Sequence, residues 1–429
     1  MKLSVIGTGY VGLVAAVCFA DLGHDVIGVD RDAERISLLH RGRSPIFEPG
    51  LGDLLVQGQK AGRLRFTTDT AEAVQDSEVI FITVGTPSLE SGDADLTEVS
   101  AAAEAIGRSL SGYRLIVEKS TVPVRTGERI REQIHLLTRG GVEFDVACNP
   151  EFLREGSAIH DFTHPDRIVL GVTSERSEEA LRELYRPFDC PILVTDLATA
   201  ELIKHASNAF LALKISYINA IANICERVGA DVRLVAEGMG YDARIGRAFL
   251  DAGVGYGGSC FPKDVAAFVK IARESGYQFR LLEEAARINE EQKEVLLHHL
   301  KDAVWVLANR TVAVLGLAYK PNTDDIRDSP AVAIITRLLR DGADVRVYDP
   351  AAEANARQVL PGVTYCPDAY EAARGSDAVV LLTEWEEFRS LDLARLKDIM
   401  RRPVLIDGRN VIDPQAARLL GFHYAGIGR

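Results

Sequence analysis

The first thirty residues constrain the fold most. A short apolar run, Lys2–Ile6, leads into Gly7-Thr8-Gly9-Tyr10-Val11-Gly12, and residues 11–22 follow a helical pattern. Gly23 predicts a helix stop, and a second apolar run, Asp25–Val29, ends at Asp30, 18 residues beyond Gly12. Strand, glycine turn, helix and strand in that order make a βαβ unit with parallel strands. Gly7 permits the tight turn, Gly9 lets a pyrophosphate approach the backbone, and Gly12 lets helix and strand pack closely. The helix N-terminus behind Tyr10 and Val11 then faces phosphate charge. Asp30 accepts hydrogen bonds from ribose hydroxyls and repels a 2′-phosphate, which predicts NAD over NADP; Arg31 beside it works against that preference.

Further strand runs at 78–84, Arg114–Glu118 and Phe144–Cys148 alternate with helical patterns at 95–109 and 126–137, which predicts a parallel sheet covered on both faces. Residues 199–228 then read as one long helix, apolar almost all round, with polar residues mainly at Lys204, Asn208, Asn219 and Asn223. Such a helix is buried on several sides, as a link between domains or a subunit interface. Helices continue to about residue 308, after which the opening unit recurs. Thr311–Leu315, Gly316-Leu317-Ala318-Tyr319-Lys320, a helix at 331–340 and Asp344–Tyr348 repeat its order, and "LGHDVIGVD" matches "DGADVRVYD". Strands at 378–382 and 404–406 continue a second sheet. The expected class is α/β: two Rossmann-like, doubly wound parallel-sheet domains joined by a long central helix and a helical middle segment. Their expected bounds are 1–198, 199–308 and 309–429. The second copy lacks the glycine fingerprint. It is either a duplicate kept for structure or a nucleotide site reading other phosphates, with Lys320 as a point charge.

Composition narrows the partners. The 429 residues hold 62 acidic and 49 basic side chains, a net charge of −13, which argues against a nucleic-acid or anionic-membrane binder. An anionic small molecule needs only a few local cations. Six cysteines, no two closer than 35 positions, predict neither a zinc ribbon nor a disulfide framework, and no metal site is expected. No run of 18 uncharged apolar residues predicts a membrane span, and the apolar start at 5–20 lacks a small-residue cleavage site. The expectation is a cytoplasmic globular protein.

The segment from Gly253 to Asp264, GVGYGGSCFPKD, carries the densest chemistry. Its glycines predict close backbone approach to a ligand. Pro262 suits a first helical turn, leaving Cys260 at or just before the helix N-terminus, where the dipole and Lys263 lower a thiol pKa. The competing reading is a small buried cysteine, which suits the other five. Asp264, four residues beyond Cys260, falls on the same helix face. Lys204 and Asn208 share that spacing on the central helix, and a buried lysine needs a partner or an anion. By itself that pattern predicts a structural ion pair, and His205 beside it a packed histidine. Glu151 and Glu155 fall in a loop just beyond a strand, where α/β sheets place active groups, though loop carboxylates are ordinarily solvated.

At these residues the chain resembles the nucleotide-sugar dehydrogenases, over essentially its whole length. "GTGYVG", "PIFEPGL", "STVPVRTG", "NPEFLREG", "IKHASNAFLALKISYINAIANICE", "GVGYGGSCFPKD", "GLAYKPNTDDIRDSP" and "DGRN" stand in the family order. "GGSCFPKD" is specific to the UDP-glucose and GDP-mannose branch, and its pairing with "DARIG" favours UDP-glucose; divergence is confined to loops such as 88–95. The resemblance implies four-electron oxidation of UDP-glucose at C6, reducing two NAD in turn. It implies Asp264, directly or through water, or else Lys204, as base for the first oxidation, with Lys204 and Asn208 stabilising oxyanion character. Cys260 then adds to the aldehyde, a thioester forms, and Glu151 with Thr121 directs water to it. Further NAD contacts are implied for Gly7, Gly9, Tyr10, Val11, Gly12, Asp30, Arg35, Thr83, Thr121, Glu155, Lys263 and Arg327. The sugar nucleotide is implied to meet Glu151, Phe152, Leu153, Lys204, Asn208, Phe249, Gly255, Tyr256, Gly257, Lys320 and Arg409. Arg244 is implied to reach the diphosphate in a neighbouring subunit, hence a homodimer. Two other readings compete: the GDP-mannose-oxidising enzyme, and a non-catalytic NAD-binding regulator, which is expected to have lost Cys260, Lys204 or Asp264.

Overall fold

The computed structural model describes residues 1–89 and 92–429; Glu90 and Ser91, inside the divergent 88–95 loop, lie outside the described residues. The chain divides into two compact units, one of Met1–Ser207 with Ala266–Ser275, the other of Asn208–Val265 with Gly276–Arg429.

The first unit is organised on β1 (Lys2–Ile6), β2 (Asp25–Val29), β3 (Leu64–Thr67), β4 (Val79–Ile82), β5 (Arg114–Glu118), β6 (Phe144–Cys148), β7 (Ile168–Gly171) and β8 (Ile192–Thr195). Their order across the sheet is β3-β2-β1-β4-β5-β6-β7-β8. All pairs are parallel except β6 with β7, which meet antiparallel through Cys148 and Gly171. Chain order reverses at β1, whose neighbours are β2 and β4, so the carboxyl ends of β1 and β4 flank a topological switch point. Strands covered on both faces carry no alternation, and β4 and β7 are buried at every residue. The helix Tyr10–Asp21 starts inside the glycine segment, directly after Gly9, and its residues from Gly12 to Ala20 are all buried.

The second unit holds β9 (Thr311–Leu315), β10 (Asp344–Tyr348), β11 (Thr364–Tyr365), β12 (Ala378–Leu381), β13 (Val404–Asp407) and β14 (His423–Gly426). Its order, β11-β10-β9-β12-β13-β14, repeats that of the first six strands of the other sheet, with every pair parallel. The duplication expected from the matching sequence ends is therefore a duplication of topology. The chain does differ after β9: thirteen residues separate Gly316 from the helix Pro330–Arg340, which Ser329 caps by accepting from the Ala331 amide.

The central helix is Leu197–Val228, two residues longer at its start than its apolar pattern suggested. The Asp196 carboxylate supplies the cap, accepting from the Thr199 amide at 2.8 Å. Among the described residues this is the one helix whose length and composition would let it cross a membrane. Of its polar residues, Glu201, Lys204, His205, Asn208, Ser216 and Asn219 are buried, and Lys214 and Asn223 are partly so.

Candidate active site

In the first unit the glycine turn answers two different demands. Gly7 has φ +98°, and a Cβ there would come within 2.7 Å of the Thr83 carbonyl oxygen; one on Gly12 would stand 1.9 Å from the Gly7 oxygen. Both glycines are required by the chain's own packing. At Gly9 a Cβ would meet nothing within 4 Å, so the space before the helix N-terminus is open, as a pyrophosphate requires. Val11 is partly exposed on the same turn. Thr83 Oγ1 donates to the carbonyls of Ile6 and Gly7, at 2.9 and 2.8 Å, and so holds the turn itself.

Asp30 Oδ2 accepts from the Thr8 amide at 2.9 Å, the Thr8 hydroxyl at 2.8 Å and Arg35 Nη1 at 3.0 Å, while Oδ1 accepts from the Asp32 amide at 3.0 Å. Burial pushes this carboxyl up, but the hydrogen bonds from Asp32, Thr8 and Arg35 outweigh it and hold the group below its ordinary value. Oδ1, with one donor, keeps a lone pair for a ribose hydroxyl. The Tyr10 hydroxyl donates to Glu48, whose carboxylate also accepts from the amides of Gly156, at 2.6 Å, and Ala158, at 2.8 Å. Glu48, from the "PIFEPGL" motif, thereby ties the glycine turn to the loop of Glu155. Nothing in the sequence pattern singles out that carboxylate.

Glu151 and Glu155 are not solvated loop carboxylates: they are 6% and 9% exposed. Glu151 Oε1 pairs with Lys204 Nζ at 2.9 Å, and Oε2 accepts from the Leu153 amide at 2.5 Å. The Phe152 ring lies 5.4 Å from the same ammonium and 3.6 Å from the Arg167 guanidinium. The buried lysine thus has the partner it requires. A second buried lysine, Lys119, donates to Asn149 Oδ1 at 2.8 Å; burial pulls its ammonium down to about 8, against the attraction of Glu151. Thr121 is in the turn after β5, with its carbonyl held by the Thr86 hydroxyl at 2.8 Å.

In the second unit Cys260 immediately precedes the helix Phe261–Glu274 and is partly exposed, whereas Cys18, Cys148, Cys225 and Cys366 are buried. The Asp264 amide donates to the Cys260 carbonyl at 2.8 Å, closing the first turn. The Asp264 carboxylate is 1% exposed; Asn208 Nδ2 donates to it at 2.6 Å and Lys263 Nζ at 2.8 Å. Lys263 therefore directs its charge onto Asp264.

Two of the loop glycines are also required by the chain's own packing. A Cβ on Gly257 would lie 2.3 Å from the Asp328 oxygen, and one on Gly258 2.6 Å from the Tyr319 ring. Asn289 fixes Tyr256 by accepting from its amide at 2.7 Å and donating to its carbonyl at 3.1 Å, a contact 33 residues away that sequence did not reveal. Gly255, left-handed at φ +98°, has Asn289 Oδ1 within 2.6 Å of where its Cβ would be. Phe261 packs against Phe249 and Tyr256, with ring centroids at 6.2 and 5.8 Å. Arg409 donates to the carbonyls of Leu382, Gly255 and Tyr319 at 2.9, 3.1 and 3.1 Å, so its guanidinium is a strut across the glycine loop. Lys320 Nζ lies 5.4 Å from the Tyr319 ring, Arg327 binds the Asp325 carboxylate, and Arg244 is 89% exposed beside Asp242. In the second copy Asp349 takes the place of Asp30, but its Oδ2 already accepts from the Leu317 and Ala318 amides and Trp385 Nε1.

Two sheets of the same dinucleotide-binding order, a glycine turn open at Gly9 and a thiol at a helix start define an NAD-linked dehydrogenase class. Family models of the UDP-glucose/GDP-mannose dehydrogenase family match along the chain: the NAD binding domain over 1–189, the central domain over 198–291 and the UDP binding domain over 313–414. The UDP-glucose 6-dehydrogenase of Rhizobium meliloti (strain 1021) is 50% identical, covering 100% of both chains. UDP-glucose 6-dehydrogenase TuaD of Bacillus subtilis (strain 168) is 48% identical over 100% of this chain and 93% of its own. A solved UDP-glucose dehydrogenase from the archaeon Pyrobaculum islandicum superposes with a TM-score of 0.94 at 43% identity, covering 99% of this chain and 97% of that one. The chain belongs to the UDP-glucose/GDP-mannose dehydrogenase family.

Proposed function

We propose that the protein oxidises UDP-glucose at C6 to UDP-glucuronate with NAD, through a covalent intermediate on Cys260. The observation that carries this reading is the cysteine at the start of the helix Phe261–Glu274, with Asp264 buried one turn on and held by Asn208 and Lys263. Bound NAD supplies the hydride acceptor, once for each of the two oxidations. The C6 hydroxyl loses its proton to Asp264, directly or through water, or to Lys204, and Lys204 and Asn208 stabilise the developing oxyanion. The Cys260 sulfur then bonds to the aldehyde carbon, and the carbonyl oxygen takes a proton. Loss of that hydroxyl proton together with the second hydride leaves a thioester. Water, activated by Glu151 with Thr121 placing it, adds to the carbonyl; the C–S bond breaks and the thiol is regenerated. Glu151, paired with Lys204 and 6% exposed, has the enclosure such a base needs.

The remaining roles follow the family motifs. NAD contacts fall to the glycine turn, Asp30, Arg35, Thr83, Glu155, Lys263 and Arg327, and the sugar nucleotide to Phe152, Leu153, Phe249, Gly255, Tyr256, Gly257, Lys320 and Arg409. The division at 1–198, 199–308 and 309–429 follows the same assignment. The enzyme works in the cytoplasm as a homodimer, with Arg244 reaching the neighbouring site; the 89% exposure of Arg244 supports that use. NADH absorbance with UDP-glucose and GDP-mannose in parallel tests the reading. Two NADH per UDP-glucose are expected, with GDP-mannose turned over far more slowly. Preference for GDP-mannose would assign the other branch, and no NADH with either would leave an NAD-binding regulator.

A further inference from the structure

We propose that Glu201 and His205, one turn apart on the central helix, form a clamp that positions the Thr121 turn; the inference rests on the oxidation proposed above. Glu201 is 2% exposed. Its Oε2 accepts from the Arg125 amide at 2.5 Å and its Oε1 from the Gly127 amide at 2.7 Å. Gly127 lies in the first turn of the helix Thr126–Thr138, where amides have no partner within the helix and a negative charge is favoured. His205 Nε2 is 2.7 Å from the Val122 carbonyl oxygen, and since a carbonyl only accepts, Nε2 carries the hydrogen. One helix face therefore offers two acceptors and a donor to three backbone groups between residues 122 and 127.

The backbone in that grip is held off its preferred conformation. Arg125 has φ +75°, a left-handed value that a side chain-bearing residue keeps only where its surroundings impose it. There is no slack at Gly127, where a Cβ would meet Leu197 at 3.3 Å and Glu201 Oε1 at 3.4 Å. Lys204, in the same helical turn, reaches Glu151 at 2.9 Å, so one stretch of helix fixes both the Thr121 turn and the Lys204–Glu151 pair.

The clamp is kept against a cost in stability. Burial pushes the Glu201 carboxyl up to about 7, the amides of Gly127 and Arg125 pull it down, and Glu128 on the facing helix pushes it up. Glu118 on β5 and Cys148 on β6 also face this carboxylate across the sheet. A folded pKa above the unfolded one means that stability falls as pH rises from about 4.5 towards 7, so the ionised group at neutral pH destabilises the fold. Glu201→Gln removes that charge and turns one amide's acceptor into a donor. It loses grip without losing stability.

Glu201→Gln is expected to lower kcat and weaken NAD about 10- to 100-fold, as displacement of a positioned group does. Affinity for UDP should stay within twofold and the melting midpoint at pH 8 should not fall. Hydrogen exchange at the Arg125 and Gly127 amides should accelerate. His205→Leu should behave alike, and His205→Gln, which keeps a donor for the Val122 carbonyl, should recover most of the rate; this pair decides the matter if Glu201→Gln does not fold. Unchanged kinetics with unchanged exchange would overturn the clamp. So would a lower melting midpoint with activity lost only in proportion to the unfolded fraction. If the parent protein oxidises no nucleotide sugar, the reading above fails by itself, and exchange with NAD affinity still decides the clamp.

Discussion

Cys260 and Glu118 show how the same chain treats reactive and buried groups. Cys260 is the partly exposed cysteine at a helix start, with the Ser259 hydroxyl 3.5 Å from its sulfur. If it acts after the first oxidation, its side chain contributes little to recognition. Cys260→Ala should therefore bind NAD and UDP-glucose nearly as well as the parent, stop near one NADH per bound sugar, and show no covalent adduct by intact mass. Two NADH per sugar at the parent rate would remove the thiol from the mechanism. Glu118 is fully buried; its Oε1 accepts from the Ser120 amide at 2.7 Å and Oε2 has no hydrogen-bond partner among the described residues. Burial drives its carboxyl well above the ordinary value, Ser120 opposing and Glu201 reinforcing the shift. A raised folded pKa makes stability decline as pH climbs above about 4.5. Glu118→Gln, of the same shape without the charge, should melt near the parent at pH 5 and at least about 3 °C higher at pH 8. A gap by calorimetry that shrinks with rising pH would contradict this.

Among elements, the central helix carries the clearest consequence. Phe210, Tyr217 and Ile224, spaced by seven residues, are 60%, 49% and 53% exposed, and Val228 follows at 69%. A heptad spacing puts these side chains on one stripe, roughly 21 Å long at 1.5 Å per residue. Burying it in a second copy satisfies an apolar face that water does not. Ile224→Lys should convert a dimer into monomers in light scattering; a parent already monomeric at assay concentration would defeat the interface. The element scale also shows what sequence could reveal. β1, β2, β5, β6, β9 and β10 read to the residue because each is a five-residue run with a turn signal beside it, and β1, β2, β5 and β9 bury every residue but the first. β3 and β14 are four residues long, with Arg65 and His423 exposed, and β11 is a pair of residues, so their pairing is imposed by neighbours rather than patterned in the chain. Among the residues proposed for catalysis, helical spacing pairs Cys260 with Asp264 and Lys204 with Asn208, while their roles rest on the family motifs. Glu201 shares the face of Lys204 and Asn208 by that same spacing, yet its partners are backbone amides 74 and 76 residues away, which leave no mark in side-chain pattern.

At the scale of the molecule, the two units repeat one sheet order but have diverged at their switch points, and that divergence predicts a division of labour in binding. After β1 the turn is short, its helix begins at Tyr10, and the position of Gly9 is open. After β9 the turn runs on to Ser329, the helix starts at Pro330, and Asp349 spends Oδ2 on closing the turn. A phosphate meeting the second turn thus finds Lys320 rather than a helix start, whereas the first keeps the dipole for a pyrophosphate. NAD should then slow hydrogen exchange across Gly7–Gly12 and Asp30–Arg35 and leave the segments at 249–258, Lys320 and Arg409 unaffected. UDP alone should do the reverse, because the uridine diphosphate contacts proposed here belong to the second unit while Glu151, Phe152, Leu153 and Lys204 await the sugar. Each ligand at a hundred times its Kd should stabilise the unit it binds by about 2.7 kcal/mol. Protection of the Gly7–Gly12 turn by UDP, with the 249–258 segment unchanged, would reverse the assignment of cofactor and substrate to the two sheets.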